Sequence, residues 1–177
     1  PWWFRDADGD GWGDIHDRSQ GCNQPSGYVA DDSDCDDTIA DSSPQFGCPF
    51  EVVAAGDDAF CAVQSNGRLT CMGAPWVTNG QPELGVVSVS VGRGHACAVT
   101  VAGALQCWGR NDAVLLGLEG VDDDLMQVSI DGNHTCAVDD DGAVRCWGDG
   151  IAYTVDRGVP FERVEAGAAH ACALYDG

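Results

Sequence analysis

Basic residues are scarce in this chain: eight Lys plus Arg stand against 29 Asp plus Glu, for a formal net charge of −21 over 177 residues. That excludes nucleic acid as a partner, because neutralising phosphates needs clustered cations. The same imbalance disfavours docking on anionic lipid, keeps the chain soluble and draws in counter-ions. Also missing is any apolar run near the roughly eighteen residues a membrane span needs, so membrane insertion is not expected. No charged-then-apolar export signal opens the sequence, which starts at Pro1 without Met and reads as a mature or trimmed segment. Glu is absent before Glu51, so the acidity of the opening region is all Asp.

What is present in excess is cysteine. Ten Cys at regular spacings read as a disulfide framework, hence an oxidising compartment, secreted or at the cell surface. Composition changes near "SSPQFGCPFEVV". Residues 1–48 are rich in Asp, Gly, Ser and Pro with little periodicity, which predicts a small loop-rich module. Residues 51–177 alternate short apolar runs with Gly-rich turns, the pattern of an all-β array.

The second region repeats itself. Aligned on cysteines it reads "AFCAVQSNGRLTCMG", "HACAVTVAGALQCWG", "HTCAVDDDGAVRCWG" and an interrupted "HACALYDG". The first cysteines, Cys61, Cys97, Cys136 and Cys172, are separated by 36, 39 and 36 residues. This gives units of about 51–85, 86–125, 126–161 and a truncated 162–177. Such periods belong to propellers and solenoids, whose units bury their faces only against neighbours.

Within each complete unit two cysteines stand ten residues apart, with Gly67, Gly103 or Gly142 between them. A three-residue hairpin loop takes Gly at its left-handed position. Counting outward from that loop, Asp139 faces Ala143 in a hydrogen-bonded pair. Val138 with Val144, and Cys136 with Cys146, then fall in non-hydrogen-bonded pairs. Their Cα atoms should lie roughly 4.5 Å apart, within disulfide reach. The same parity joins Cys61 to Cys71 and Cys97 to Cys107. Each bridge should contribute about 2–3 kcal/mol on the chain-entropy view. Zinc does not fit this spacing or this compartment.

These units resemble RCC1 repeats in the cysteine-bearing form of exported bacterial proteins: G-x-x-H-x-C-A-V, then D-G-x-V/L-x-C-W-G. Gly92 with His95 and Gly167 with His170 match the opening; Asp131, Ala59 and Met72 depart from the Gly, His and Trp expected at their positions. The resemblance covers residues 51–177 and implies four-stranded blades of a β-propeller, usually seven-bladed. His95, His134 and His170 are read as blade-core residues rather than metal ligands or bases, since no acid or nucleophile recurs beside them. Trp108 and Trp147 are read as packing between blades. Asn133 opens a formal glycosylation sequon within a predicted strand, and glycosylation is not expected there.

The opening stretch "RDADGDGWGDIHD" fits the calcium-loop template. Asp6, Asp8 and Asp10 take positions 1, 3 and 5, Gly11 the turn, Trp12 the carbonyl position, Asp14 position 9 and Asp17 position 12. Carboxylates at this spacing repel one another unless a cation intervenes. A second run, "DDSDCDD", places Asp32, Asp34 and Asp36 alternately, with the Thr38 carbonyl and Asp41 to complete a site; Asp37 stands where the turn Gly would be. A Cys22–Cys35 disulfide is expected to tie the loops together, as a module without a core needs staples. Residues 2–43, including "QPSGYVAD", resemble the metal-binding motif of MopE-type bacterial surface proteins. That family name suggests copper, but only His16 is at hand and no Met, so hard oxygen donors point to Ca²⁺.

The fold expected is therefore all-β: RCC1-like β-propeller blades, forming part of a propeller, behind a small disulfide- and calcium-stabilised module. The function expected is that of a non-enzymatic extracellular or cell-surface calcium-binding protein, its propeller a scaffold for adhesion, assembly or protein binding. Protein partners or self-assembly are expected, with carbohydrate an open alternative. A filament subunit is a second reading. An enzyme acting on surface polysaccharide or protein is a third, though no nucleophile elbow, paired Glu or zinc motif supports it. The units present do not complete a seven-bladed ring, so further repeats or a second copy should supply the rest. Cys172 lacks a partner ten residues on and Cys48 has no evident mate; both are expected to link across that seam.

Overall fold

The computed structural model describes residues 1–38, 48–82, 85–110, 124–148, 151–155, 160–167 and 170–175, and every regular element among them is a β-strand. In the opening module β1 (Trp2–Arg5) pairs antiparallel with β2 (Asp14–Gln20) on one side and β3 (Tyr28–Val29) on the other. Residues 6–13 are therefore a hairpin loop, and Asp14 and Asp17 lie on a strand. Phe4 and Ile15 are the buried apolar side chains here. So small a core needs covalent help.

That help is not the expected Cys22–Cys35 bridge. Cys35 is bonded to Cys48, with Cα atoms 5.2 Å apart, and Cys22 is free and exposed. The reason is tertiary. The loop carrying Cys35 turns toward the propeller, where Ser65 Oγ donates to the Cys35 carbonyl (3.4 Å) and Gln64 Nε2 to that of Cys48 (3.2 Å). Arg68 pairs with Asp32 at 2.9 Å across the same contact. Cys35 thus meets the residue that leads the chain into the first blade. This also removes Cys48 as a link between copies.

Four sheets follow, one per repeat. Blade 1 is β4 (Phe50–Ala55), β5 (Ala59–Gln64) and β6 (Leu69–Gly73); blade 2 is β7 (Val86–Val91), β8 (His95–Thr100) and β9 (Leu105–Gly109). Blade 3 is β10 (Leu125–Asp131), β11 (His134–Asp139), β12 (Val144–Gly148) and β13 (Ile151–Val155); blade 4 is β14 (Phe161–Gly167) and β15 (His170–Tyr175). Among the described residues only blade 3 has the four strands that the resemblance implies. After β6 the chain instead forms a turn over residues 74–80, with Trp76 and Val77 buried. In all four blades the first strand bulges at the same place, one residue in from its start.

The hairpin parity is as the spacing predicts. Cys61, Cys97 and Cys136 stand opposite Cys71, Cys107 and Cys146, each pair bonded with Cα atoms 4.1, 4.0 and 4.0 Å apart. Gly67, Gly103 and Gly142 have φ of 73, 76 and 79°, the left-handed turn that a side chain would strain. The same glycines serve the next blade. Val86, Leu125 and Phe161 each donate their N–H to the carbonyl of the preceding turn glycine, at 3.0, 2.9 and 3.0 Å. A Cβ on Gly142 would lie 2.3 Å from Pro160 Cα, so the close approach also requires glycine.

The core lies between blades, not within them. One apolar cluster joins Cys61, Val63, Leu69 and Cys71 to Val86, Ala96 and Trp108 of the next blade; equivalent clusters fill the two later seams. Each large apolar side chain buried there contributes about 1.5–3 kcal/mol. Polar side chains complete the joints. Ser88 and Ser90 accept the N–H groups of Val128 and Ile130 (3.2 and 2.9 Å), and Ser129 accepts that of Ala166 (2.9 Å). Gln127 brackets Val164, accepting its N–H at 2.8 Å and donating to its carbonyl at 2.9 Å.

Candidate functional site

The aspartates are arranged by short-range turns before they meet one another. Asp6 accepts the N–H groups of Gly9 and Gly11 (2.7 and 3.2 Å), Asp8 that of Asp10 (3.1 Å), and Asp10 that of Trp12 (3.0 Å). In the second run Asp34 accepts the N–H of Asp36 (2.9 Å), and Asp36 both the N–H and the hydroxyl of Thr38 (3.1 and 2.6 Å). Gly9 and Gly11 adopt φ of 82 and 96°, which lets the first loop curl around its own carboxylates.

The two loops then interleave. Ala7 donates its N–H to Asp37 at 2.8 Å across the interface between them. Two triads result: Asp6, Asp8 and Asp37, and Asp8, Asp10 and Asp34, each with one carboxylate oxygen per residue within 4.8 Å of the others. Asp8 belongs to both. Its Oδ2 is buried without a hydrogen-bond partner. Desolvation, with added repulsion from Asp10, Asp34 and Asp6, raises its pKa against the opposing hydrogen bond from the Asp10 N–H. Asp37 is raised chiefly by desolvation too, with Asp14, Asp34 and Asp8 adding to it and the Ala7 hydrogen bond opposing. Converging carboxylate oxygens are a hard donor set that could hold a metal ion.

The remaining expected ligands stand outside both triads. Asp14 accepts the His16 N–H at 2.7 Å; Asp17 is held by Arg5 (3.2 Å) and the Tyr28 hydroxyl (3.1 Å). Asp32 faces Arg68, and Asp36 faces Thr38. Asp41 lies outside the described residues. Asp37 is the residue that template reasoning passed over, because a template treats each loop alone. The signal available was that two Asp runs of the same design occur in one small module.

Of the repeated histidines only His95 is buried in a seam; His134 is half-buried and His170 exposed, so the blade-core expectation holds for the first alone. His95 is 1 % exposed, and its Nε2 lies 3.4 Å from Thr135 Oγ1 of the next blade. Burial drives its pKa down to about 4, so it is neutral at ordinary pH. Trp108 and Trp147 are buried in the seams, and Trp108 Nε1 donates to the Val77 carbonyl of the preceding blade at 2.6 Å. The first strands of all four blades border an open trough of about 880 Å³, bridged at one end by an Asp57–Arg93 pair at 3.4 Å.

Two segments, residues 86–113 and 127–150, match the regulator of chromosome condensation (RCC1) repeat. Over these two segments the chain is similar to RCC1 repeats. Similar solved structures agree on the fold. The ectodomain of the Physcomitrella patens receptor kinase CR4 superposes with a TM-score of 0.60 at 23% identity, over 71% of this chain and 39% of that one. Human WBSCR16 gives 0.58 at 16%, over 98% and 54%. Yeast RCC1 (Prp20), seen bound to Kap60, gives 0.57 at 15%, over 72% and 42%. The chain thus spans between about two fifths and just over half of these RCC1-like proteins. No curated protein sequence matches it.

Proposed function

We propose that this chain is a calcium-binding, extracellular or cell-surface protein without enzymatic activity, whose RCC1-like propeller scaffold binds protein partners. The observation that carries the calcium reading is the meeting of two Asp loops on the shared carboxylate of Asp8, whose Oδ2 is buried without a hydrogen-bond partner. Five carboxylates, those of Asp6, Asp8, Asp10, Asp34 and Asp37, supply the oxygens, and the cation would offset their mutual repulsion. The resemblance of residues 2–43 to a surface-protein metal motif supports the same assignment. Disulfides in every complete repeat, together with a receptor ectodomain among the structural neighbours, support an extracellular setting. Protein binding is supported by the likeness to yeast RCC1, which is seen in complex with Kap60. Because Arg68, Ser65 and Gln64 of blade 1 hold the second Asp loop, the cation would also stiffen the joint between module and scaffold.

Calorimetric titration of the full chain with CaCl₂ tests this. Saturable binding is expected, lost in Asp8→Asn and retained in Asp17→Asn. A folded wild-type chain that gives no binding heat and no calcium-dependent rise in melting temperature refutes it.

A further inference from the structure

The two carboxylate triads each take a member from the second Asp loop, one on either side of a disulfide. Asp34, 3% exposed, immediately precedes Cys35 and joins Asp8 and Asp10; Asp37, two residues after it, joins Asp6 and Asp8. No strand runs through residues 30–38, so no ladder holds these side chains in place. Toward the first loop the segment has the Asp37 contact with the Ala7 N–H and a close approach at Gly13, where a Cβ would lie 2.9 Å from the Asp31 carbonyl. Toward blade 1 it has the Ser65 hydroxyl on the Cys35 carbonyl and the Arg68–Asp32 pair, whose side chains are 41% and 34% exposed and so lie in reach of screening water. The covalent tie is Cys35–Cys48.

The far end of that bridge is fixed. Cys48 is buried, its carbonyl accepts from Gln64 Nε2, the Pro49 carbonyl accepts the Ser65 N–H at 2.8 Å, and β4 begins at Phe50. Cys35 is half-buried, which leaves one side of the bridge open to a small thiol. We propose that the Cys35–Cys48 bridge is a redox control on the cation site, an inference that rests on the calcium reading above. Oxidised, the bridge holds Asp34 and Asp37 against the first loop and cation affinity is high; reduced, it frees them and affinity falls. A dithiol supplies the two electrons. One of its sulfurs attacks the bridge, the other resolves the mixed disulfide, and its two protons end on Cys35 and Cys48 while it leaves as a cyclic disulfide.

The effect comes from ordering. With the bridge intact the second loop is ordered when the chain folds, and a cation finds its ligands in place. Without it, the same ordering cost falls on each binding event. Linkage makes the effect reciprocal: the factor by which reduction weakens cation binding is the factor by which the cation makes the bridge harder to reduce. The chain carries its own control. Cys97–Cys107 also has one half-buried cysteine, Cys107, but it lies inside a blade 2 hairpin, away from the Asp loops.

The test keeps the full chain, with Cys22→Ser and Cys172→Ser so that the free thiols cannot exchange with any bridge. Calorimetric titration with CaCl₂ compares this chain with one that also carries Cys35→Ser and Cys48→Ser. The bridgeless chain should bind at least about fivefold more weakly, the lower end of ordinary coupling between sites. In parallel, the bridged chain is equilibrated with reduced and oxidised dithiothreitol in saturating CaCl₂ or in EDTA, and alkylation with peptide mass analysis reads each bridge separately. The reduced-to-oxidised ratio at Cys35–Cys48 should fall in CaCl₂ by the factor found calorimetrically, with Cys97–Cys107 unmoved. This arm needs no substitution at the bridge, so it decides the matter if the bridgeless chain does not fold. Equal Ca²⁺ affinity in the two chains, or a ratio at Cys35–Cys48 indifferent to Ca²⁺, overturns the coupling and leaves the calcium reading standing. A bridged chain that binds no Ca²⁺ ends both.

Discussion

Acid should part the blades through His95. Its imidazole is buried between blades 2 and 3, with Thr135 Oγ1 at 3.4 Å from Nε2 and no partner for Nδ1. Burial lowers its pKa from 6.5 to about 4. In the unfolded chain the ring gains its proton as pH falls through 6.5; in the folded chain it resists until about 4. Between those values the unfolded state binds more protons, so stability falls as pH falls, and levels off below. One pKa unit corresponds to about 1.4 kcal/mol, so the full shift is worth about 3 kcal/mol. That is a large part of a typical domain's stability. The measurement is urea unfolding followed by tryptophan fluorescence at a series of pH values, for wild type and His95→Gln. Other acid-sensitive groups, the aspartate cluster included, are common to both proteins and cancel in the difference. The stability advantage of wild type over His95→Gln should shrink by about 3 kcal/mol between pH 7 and pH 4. Parallel curves, or a folded-state NMR titration of His95 near 6.5, would refute the reasoning.

Further outcomes follow from other sites. Gly109→Ala should destabilise by about 1–3 kcal/mol from backbone strain at φ 127° alone, and by more because the new Cβ would lie 2.4 Å from the Gly94 carbonyl. Gly94→Ala, with nothing within 4 Å, should change stability by no more than about 0.5 kcal/mol, which thermal melts can compare directly. In the absence of cation, the raised pKa values of Asp8 and Asp37 make folding less favourable as pH climbs through the carboxylate range; in a His95→Gln background, which removes the opposing histidine contribution, saturating Ca²⁺ should reverse that contribution in melts between pH 4 and pH 6. Of the two Asn–Gly pairs, Asn79 is exposed, whereas Asn66 is buried with its Oδ1 bound to the Arg68 N–H and the Gly67 N–H bound to Gln64. On prolonged incubation, peptide mass analysis should therefore find deamidation at Asn79 and not at Asn66.

How much of this was legible depends on whether a residue answers to its neighbours in sequence or to distant ones. Ladder parity is local: from Gly142 outward, strand alternation leaves Cys136 facing Cys146 and no other residue. Trp108 and Trp147 recur at one position of a repeat, and a solenoid has little use for such residues except between units. Cys35 had no ladder to obey. Its partner is chosen by the way Ser65 and Gln64 of blade 1 draw the Asp loop against the propeller, a contact that no spacing encodes. Asp37 escaped for the same reason, since its role depends on Ala7 in another loop thirty residues away. In blade 1 a turn over residues 74–80, with Trp76 and Val77 buried, stands where the resemblance implied a fourth strand, and a repeat alignment carries no sign of it.

The position of the hairpin disulfides imposes a timetable on the molecule. Cys61, Cys97 and Cys136 are sealed inside the seams by the blade that follows each of them. An oxidant can reach these sulfurs only while the following blade is undocked, so each hairpin must be oxidised before its successor closes over it. A chain emerging from its amino terminus meets this demand naturally, since every bridge is complete before the covering blade has been released. Once stacked, the blades shield the bridges of blades 1 and 3 from reductants as well, whereas Cys107 stays half-buried, and the rate at which a small thiol cleaves Cys61–Cys71 or Cys136–Cys146 becomes a clock for the opening of that single seam.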